Sequence, residues 1–305
     1  MLIFATSDKG GTGRSVTSCN MMYRRALQGS DVCYLDFDFG SPTAGAVFEL
    51  TDAATGTDGG GLHSYLQGRV VAPARLDVWT QSDRESLRSR PTGAGQLTLF
   101  PGDLGGGEFP LSEDVIHRCT ELFLRMEEEF DICLVDLSAG RSFAVELALE
   151  VTGRPALRTT TCRWLIFHRW TSQHIVAAAG LVHGDRGIIR TGKSCGHDES
   201  ELSEAIRFVR TAVLDPNMEE LANMRPAQAT WLRECNGRLK ELASRLKLGR
   251  RSLLGQTPID PVLQWREQLI SDEDVATSKI ANLATAEAFD ELARKLTDDT
   301  AWEGL

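Results

Sequence analysis

The sequence contains no C-x-x-C pair, no long apolar run and no excess of positive charge, and each absence removes a class of protein. Its seven cysteines, Cys19, Cys33, Cys119, Cys133, Cys162, Cys195 and Cys235, are odd in number and scattered, several within apolar runs. Such spacing fits neither a disulfide framework nor a zinc or iron–sulfur cradle, and reads as reduced, mostly buried thiols in a cytoplasmic protein. No stretch approaches the ~18 uninterrupted apolar residues of a membrane span. The opening "MLIFATS" is too short, and lacks the basic lead-in, for a secretory signal. With 33 Lys and Arg against 43 Asp and Glu, the net charge of −10 argues against binding nucleic acid over the whole surface and leaves only a local basic patch possible. There are no internal repeats and no low-complexity tract, so the 305 residues read as one domain, 1–305.

What is present is an alternation of buried strands and amphipathic helices. "LIFATS" (2–7) is a short apolar run that ends at small polar residues, as a buried parallel strand does. A glycine loop follows, then "SVTSCNMMYRRALQG", in which apolar residues recur near helical spacing and Gly29 supplies the stop. "VCYLDFD" (32–38) is a second buried strand. Strand, tight loop, helix and strand within about 35 residues make a βαβ unit, so the sheet is parallel. Further strands are expected at 96–103, 131–140, 163–170 and 252–261, with helices at 113–130 and from Ser172. Residues 199–248 read as mostly helical, and two helices close the chain. The fold class is α/β: an open, mostly parallel twisted sheet flanked by helices on both faces.

The chemistry concentrates in "DKGGTGRSV". Gly10, Gly11 and Gly13 let the main chain wrap closely around an anion, and the helix that starts near Ser15 directs free N–H groups and the positive end of its dipole at the same point. Thr12, Arg14 and Val16 complete the loop, and Ser15 offers the hydroxyl expected to ligate Mg²⁺. "YLDFDFGSP" places Asp36 and Asp38 at the end of the second strand, and "CLVDLSAG" places Asp136 at the end of the third. In an open parallel sheet the carboxyl ends of the strands line the ligand crevice. The loop and the three carboxylates therefore converge on one edge.

"KGGTGRSV", "LDFDFGSP" and "LVDLSAG" together resemble the nucleotide motifs of the ParA/MinD family of deviant Walker ATPases, P-loop proteins whose loop reads K-G-G-x-G-K-[ST]. The resemblance covers about 50 residues and weakens from 150 to 250. It implies ATP and Mg²⁺ as cofactors and assigns roles. Lys9 matches the signature lysine, which reaches the nucleotide of a second subunit in an ATP-dependent sandwich dimer. Ser15, Asp36 and Asp136 are the metal-side residues. Asp38 positions the attacking water, and the Gly140 amide senses the γ-phosphate. Pro258 and Ile259, in "LLGQTPIDP", are base-side candidates. The departure is Arg14, where the family has a second lysine. Arginine keeps the charge, but it is planar and bulkier, and a displaced cation preserves binding while slowing hydrolysis.

The resemblance further implies a partner that responds to the dimer, either a protein or DNA. "WLRECNGRLKELASRLKLGRR" sets Leu239, Leu242 and Leu246 on one stripe among Arg238, Lys240, Arg245, Lys247, Arg250 and Arg251. This basic helix, near 233–251, is either a solvated face or a non-specific DNA contact. The acidic C-terminal tail lacks the basic amphipathic face of a membrane-targeting helix. Arg169, at the end of the 163–170 strand, is a further candidate for the nucleotide or the dimer seam. The competing readings are a degenerate scaffold that has lost the nucleotide and an ATP-dependent metabolic enzyme of the same superfamily.

Overall fold

In a computed structural model of the chain, which describes residues 1–214 and 225–303, eight strands form one sheet in the order β3-β4-β2-β5-β1-β6-β7-β8. The strands are β1 (Leu2–Thr6), β2 (Val32–Phe37), β3 (Leu76–Asp77), β4 (Leu97–Phe100), β5 (Ile132–Leu137), β6 (Cys162–Arg169), β7 (Ile206–Val213) and β8 (Leu253–Pro258). All neighbours are parallel except the short edge pair β3 and β4.

The near-continuous apolar runs in β1, β2 and β5 follow from burial on both faces. Along β1, Leu2 and Phe4 enter one core while Ile3 and Ala5 enter the other; in β2, Cys33 and Leu35 part from Val32 and Tyr34 in the same way. The first core is closed by α2 (Glu113–Glu129), α3 (Phe143–Thr152) and α4 (Ser172–His183). The second is closed by α1 (Arg14–Leu27), which packs beside α6 (Leu283–Lys295) near the end of the chain. The seven cysteines are free thiols, four buried and three half-buried.

The stretch 199–248 is helical over most of its described residues, in Glu199–Glu204 and α5 (Pro226–Arg245), but an unexpected strand, β7, runs between them. Residues 215–224 of that stretch lie outside the described residues. After β8 the chain has three α-helical segments, Pro261–Trp265, Asp272–Ala276 and α6, rather than two.

The strand signal in "IRFVRTAV" is masked by its arginines. Arg207 is fully buried, donating to the carbonyls of Glu204, Ile206 and Ala301 and lying over the ring of Trp302. Arg210 stacks on Trp170 with 3.9 Å to the ring centroid and donates to the Leu248 carbonyl. Carbonyls take Nε and Nη1 of Arg207 and Nη2 of Arg210, and an aromatic ring lies over each guanidinium, which offsets part of the cost of placing charge in these strands.

Candidate nucleotide site

The loop 8–13 connects the carboxyl end of β1 to α1. Gly11 and Gly13 take φ of +68° and +73°, left-handed values that favour glycine, and they fold the main chain back on itself before the helix starts. Gly13 is the residue that caps α1, and having no side chain it leaves the first amides of the helix unclaimed. No acidic residue occupies the first turn. Lys9 and Gly10 are exposed on the rim of the loop.

Beside the loop stand Asp38, just past the end of β2, and Asp136 within β5. Arg14 joins them. Its Nη2 donates to Asp38 Oδ2 at 2.8 Å and lies 3.4 Å from the Ser15 hydroxyl, while its Nε is in ion-pair contact with Asp136 Oδ1 without forming a linear hydrogen bond. Arg14 is buried, as is Asp136, whose other oxygen accepts from the Tyr34 hydroxyl at 2.6 Å. Burial alone would lower the pKa of the guanidinium; the charges of Asp136 and Asp38 outweigh it and raise the value, so the cation is held charged.

Asp36 has a different task. Its two oxygens accept the amides of Asp38 (3.3 Å) and Ala44 (3.1 Å), fixing the turn that presents Asp38. Burial, with the nearby Asp136 charge second, pushes its carboxyl up to about 8. Gly140 also departs from its expected role: its amide is donated to the Ser7 carbonyl at 2.7 Å, and Arg141 next to it pairs with Asp8 at 3.3 Å. The 138–141 turn is thereby docked on the loop, with the amide expected at the γ-phosphate already committed.

The resemblance implies Mg²⁺ held through Ser15, Asp36 and Asp136, and these residues as arranged do not fit it. Ser15 and Asp136, along with Asp38, are turned on Arg14, and Asp36 is spent on two amides. Among the described residues, no group of three His, Cys, Asp or Glu side chains is placed to hold a metal ion.

On the other side of the loop lies a cavity of about 170 Å³. Gly11, Thr12, Gly13 and Val16 line it from the loop and α1, Pro258 from the end of β8, and Gln264 and Glu267 from the segment beyond. Ile259, by contrast, is held by donating its amide to Val213. Arg169 and Thr211 contribute from β6 and β7. The Thr211 hydroxyl donates to the Thr12 carbonyl and so ties β7 to the loop. Motif reading misses Thr211 because its strand is hidden, and misses Gln264 and Glu267 because no spacing links them to the loop. The β-branched alternation of "FVRTAV" is the signal that points to Thr211. A larger cavity, about 570 Å³, lies elsewhere, among Ile206, Lys247, Arg250 and Arg251.

In the basic segment the helix ends at Arg245, so Lys247, Arg250 and Arg251 lie beyond it. Leu239, Leu242 and Leu246 pack against the first core, and Arg238, Lys240, Arg245, Lys247, Arg250 and Arg251 are exposed. The helix is anchored by Trp170, whose Nε1 donates to Asn236 Oδ1 at 2.9 Å.

A doubly wound parallel sheet with a glycine loop at the carboxyl end of its first strand, followed by a helix with open amides, defines the P-loop class of α/β folds. Within that class the chain has the fold of the MinD and ParA proteins. The MinC:MinD cell division protein complex of Aquifex aeolicus is matched with a TM-score of 0.60 and 18% identity, over 100% of this chain and 96% of that one. The septum site-determining protein MinD from Pyrococcus horikoshii OT3, complexed with Mg-ADP, is matched at 0.54 and 16%, over 98% and 96%. The pNOB8 ParA bound to nonspecific DNA is matched at 0.55 and 15%, over 98% of each chain. At these identities the likeness is one of fold. No protein-family model and no curated protein sequence matches the chain.

Proposed function

We propose that this chain is an adenine-nucleotide-binding switch of the ParA/MinD type, in which ATP drives a sandwich dimer that engages a protein partner or DNA. The observation that carries the reading is the loop itself. Two left-handed glycines and a helix with no capping side chain present a row of backbone amides, and the only lysine of the loop stands exposed beside them. Such amides bind phosphate oxygens. Phosphates on the loop direct the base towards the cavity at Val16, Pro258 and Gln264, which is smaller than the ~300–1,000 Å³ of a site enclosing a whole drug-sized ligand and suits a nucleobase. Lys9 makes no ion pair among the described residues, which supports a role across a dimer seam rather than within its own chain. The solved structures with this fold include one with Mg-ADP, one with MinC and one with nonspecific DNA.

Hydrolysis is slow in this reading. Asp38, the residue to which this reading gives the orientation of water, is held by Arg14 at 2.8 Å, and phosphoryl transfer depends on positioning. Arg238, Lys240 and Arg245 form the surface for DNA phosphates, a contact whose affinity falls steeply with salt.

The experiment is an equilibrium titration with a fluorescent adenine nucleotide, competed by unlabelled ADP. Saturable binding with a Kd in the micromolar range, about −8 kcal/mol, is expected. No saturable binding up to about millimolar nucleotide would leave the scaffold reading in its place.

A further inference from the structure

We propose that the guanidinium of Arg14 takes the place of the divalent cation at this site, so that the chain holds a nucleoside di- or triphosphate without a metal ion. The proposal rests on the nucleotide-binding reading above and adds what neutralises the bound phosphates.

Three observations converge. First, Arg14 contacts two of the three groups expected at a metal centre, the Ser15 hydroxyl at 3.4 Å and Asp136 in direct ion-pair contact, and also holds Asp38, the expected water-positioning residue, at 2.8 Å. Second, the pairing is a buried one. Arg14 is 6% exposed and Asp136 1%, and the second oxygen of Asp136 is held by Tyr34 at 2.6 Å, so the carboxylate is fixed in direction. Drawing the guanidinium out would leave Asp136 as a buried, uncompensated carboxylate, which is strongly unfavourable. Third, nothing nearby substitutes as a metal shell. Both oxygens of Asp36 accept backbone amides, and no group of three His, Cys, Asp or Glu side chains is placed to hold a metal ion among the described residues.

The chemistry of the side chain completes the argument. A guanidinium carries its charge at any accessible pH and has five N–H donors in a fixed plane. Here Nη2 donates to Asp38 and Ser15, Nε is in ion-pair contact with Asp136 without a hydrogen bond, and Nη1 has no hydrogen-bond partner among the described residues. That leaves two N–H groups for a phosphate oxygen. A divalent ion brought between Asp38 and Asp136 would meet a fixed positive charge already there, and like charges at such separations repel. Lysine could not do the same, since its single ammonium lacks the fork that spans two carboxylates and still faces a ligand.

The test has two arms. In the first, ADP binding to the full chain is measured by titration calorimetry in excess EDTA and again in millimolar MgCl₂. The Kd is expected to agree within about twofold between the buffers. A Kd that tightens about tenfold or more with Mg²⁺ overturns the proposal. In the second arm, Mn²⁺ alone is added and its free signal followed by electron paramagnetic resonance. The native chain is expected to leave Mn²⁺ free, while Arg14→Ala takes up one Mn²⁺ per chain. Arg14→Lys is measured beside it in case the alanine variant does not fold, and circular dichroism checks each. One Mn²⁺ bound by the native chain and lost in Asp136→Asn contradicts the proposal, as does a folded pair of Arg14 variants that gain none. If ADP binds in neither buffer while the Mn²⁺ arm behaves as expected, the nucleotide reading fails and Arg14 keeps the cation's place.

Discussion

Arg14 and His168 are both buried ionisable side chains, and they are stabilised in opposite ways. Arg14 stays charged because two carboxylates meet it; His168 stays neutral because burial outweighs its one contact with a carbonyl. His168 sits 1% exposed in β6, with Nδ1 at 3.1 Å from the Arg169 carbonyl and Nε2 without a partner. Burial, with the neighbouring Arg210 and His174 charges adding to it, lowers its pKa from the usual 6.5 to about 4. Between those values the unfolded chain binds a proton that the folded chain refuses, so stability falls as the pH drops from about 6.5 towards 4. Each pH unit in that window removes up to about 1.4 kcal/mol. Urea midpoints of the native chain and His168→Gln across pH 7 to about 4.5 check this. The native midpoint should decline more steeply than that of the variant, and parallel curves would place the acid sensitivity elsewhere. The Arg14 pairing was not legible in the sequence. The loop motif names the residue, but whether its side chain faces the phosphate or folds back on Asp38 and Asp136 is decided by contacts 24 and 122 residues away.

At the scale of elements, α1 carries more than the glycine loop. Asn20, fully buried, donates to the carbonyls of Val16 and Gln268 and accepts the amide of Ile270. One turn on, Arg24 donates to the Ile270 carbonyl and pairs with Asp272 at 2.5 Å. These bonds staple residues 268–272 to the helix, and that segment holds up the cavity wall at Gln264 and Glu267. Asn20→Ala leaves a buried carbonyl and a buried amide without partners, and is expected to cost about 2–4 kcal/mol. Its thermal midpoint should fall while the ADP affinity of the still-folded fraction weakens. An unchanged midpoint would mean that the staple is redundant with Arg24. The β1–loop–α1–β2 unit was legible because its strands, glycines and helix are contiguous, each with its own local signal. Strand β7 was not, because Arg207 and Arg210 break its apolar run and helices flank it in sequence. The two-residue β3 is too short to carry any periodicity, and its pairing with β4 is a tertiary choice.

Across the whole molecule, the parallel order β2-β5-β1-β6-β7 brings Asp36, Asp38, Asp136, Lys9, Arg169 and Thr211 to one edge of the sheet, from segments spread over more than 200 positions. The motifs made that convergence readable for the three aspartates and the loop. Beyond the loop they reached the wall of the neighbouring cavity only at Arg169 and Pro258; the rest of it, from β7 and the segment after β8, carries no motif. The exposed Lys9 has no counter-charge among the described residues of its own chain, and the dimer supplies one in the proposed switch. The central measurement is therefore the mass of the particle by light scattering, without nucleotide, with ADP and with ATP, for the native chain and for Lys9→Ala. The account predicts a 33.5 kDa monomer in the first two conditions, twice that mass in ATP, and a monomer throughout for Lys9→Ala. A native mass indifferent to nucleotide, or a Lys9→Ala variant that still doubles in ATP, would contradict it.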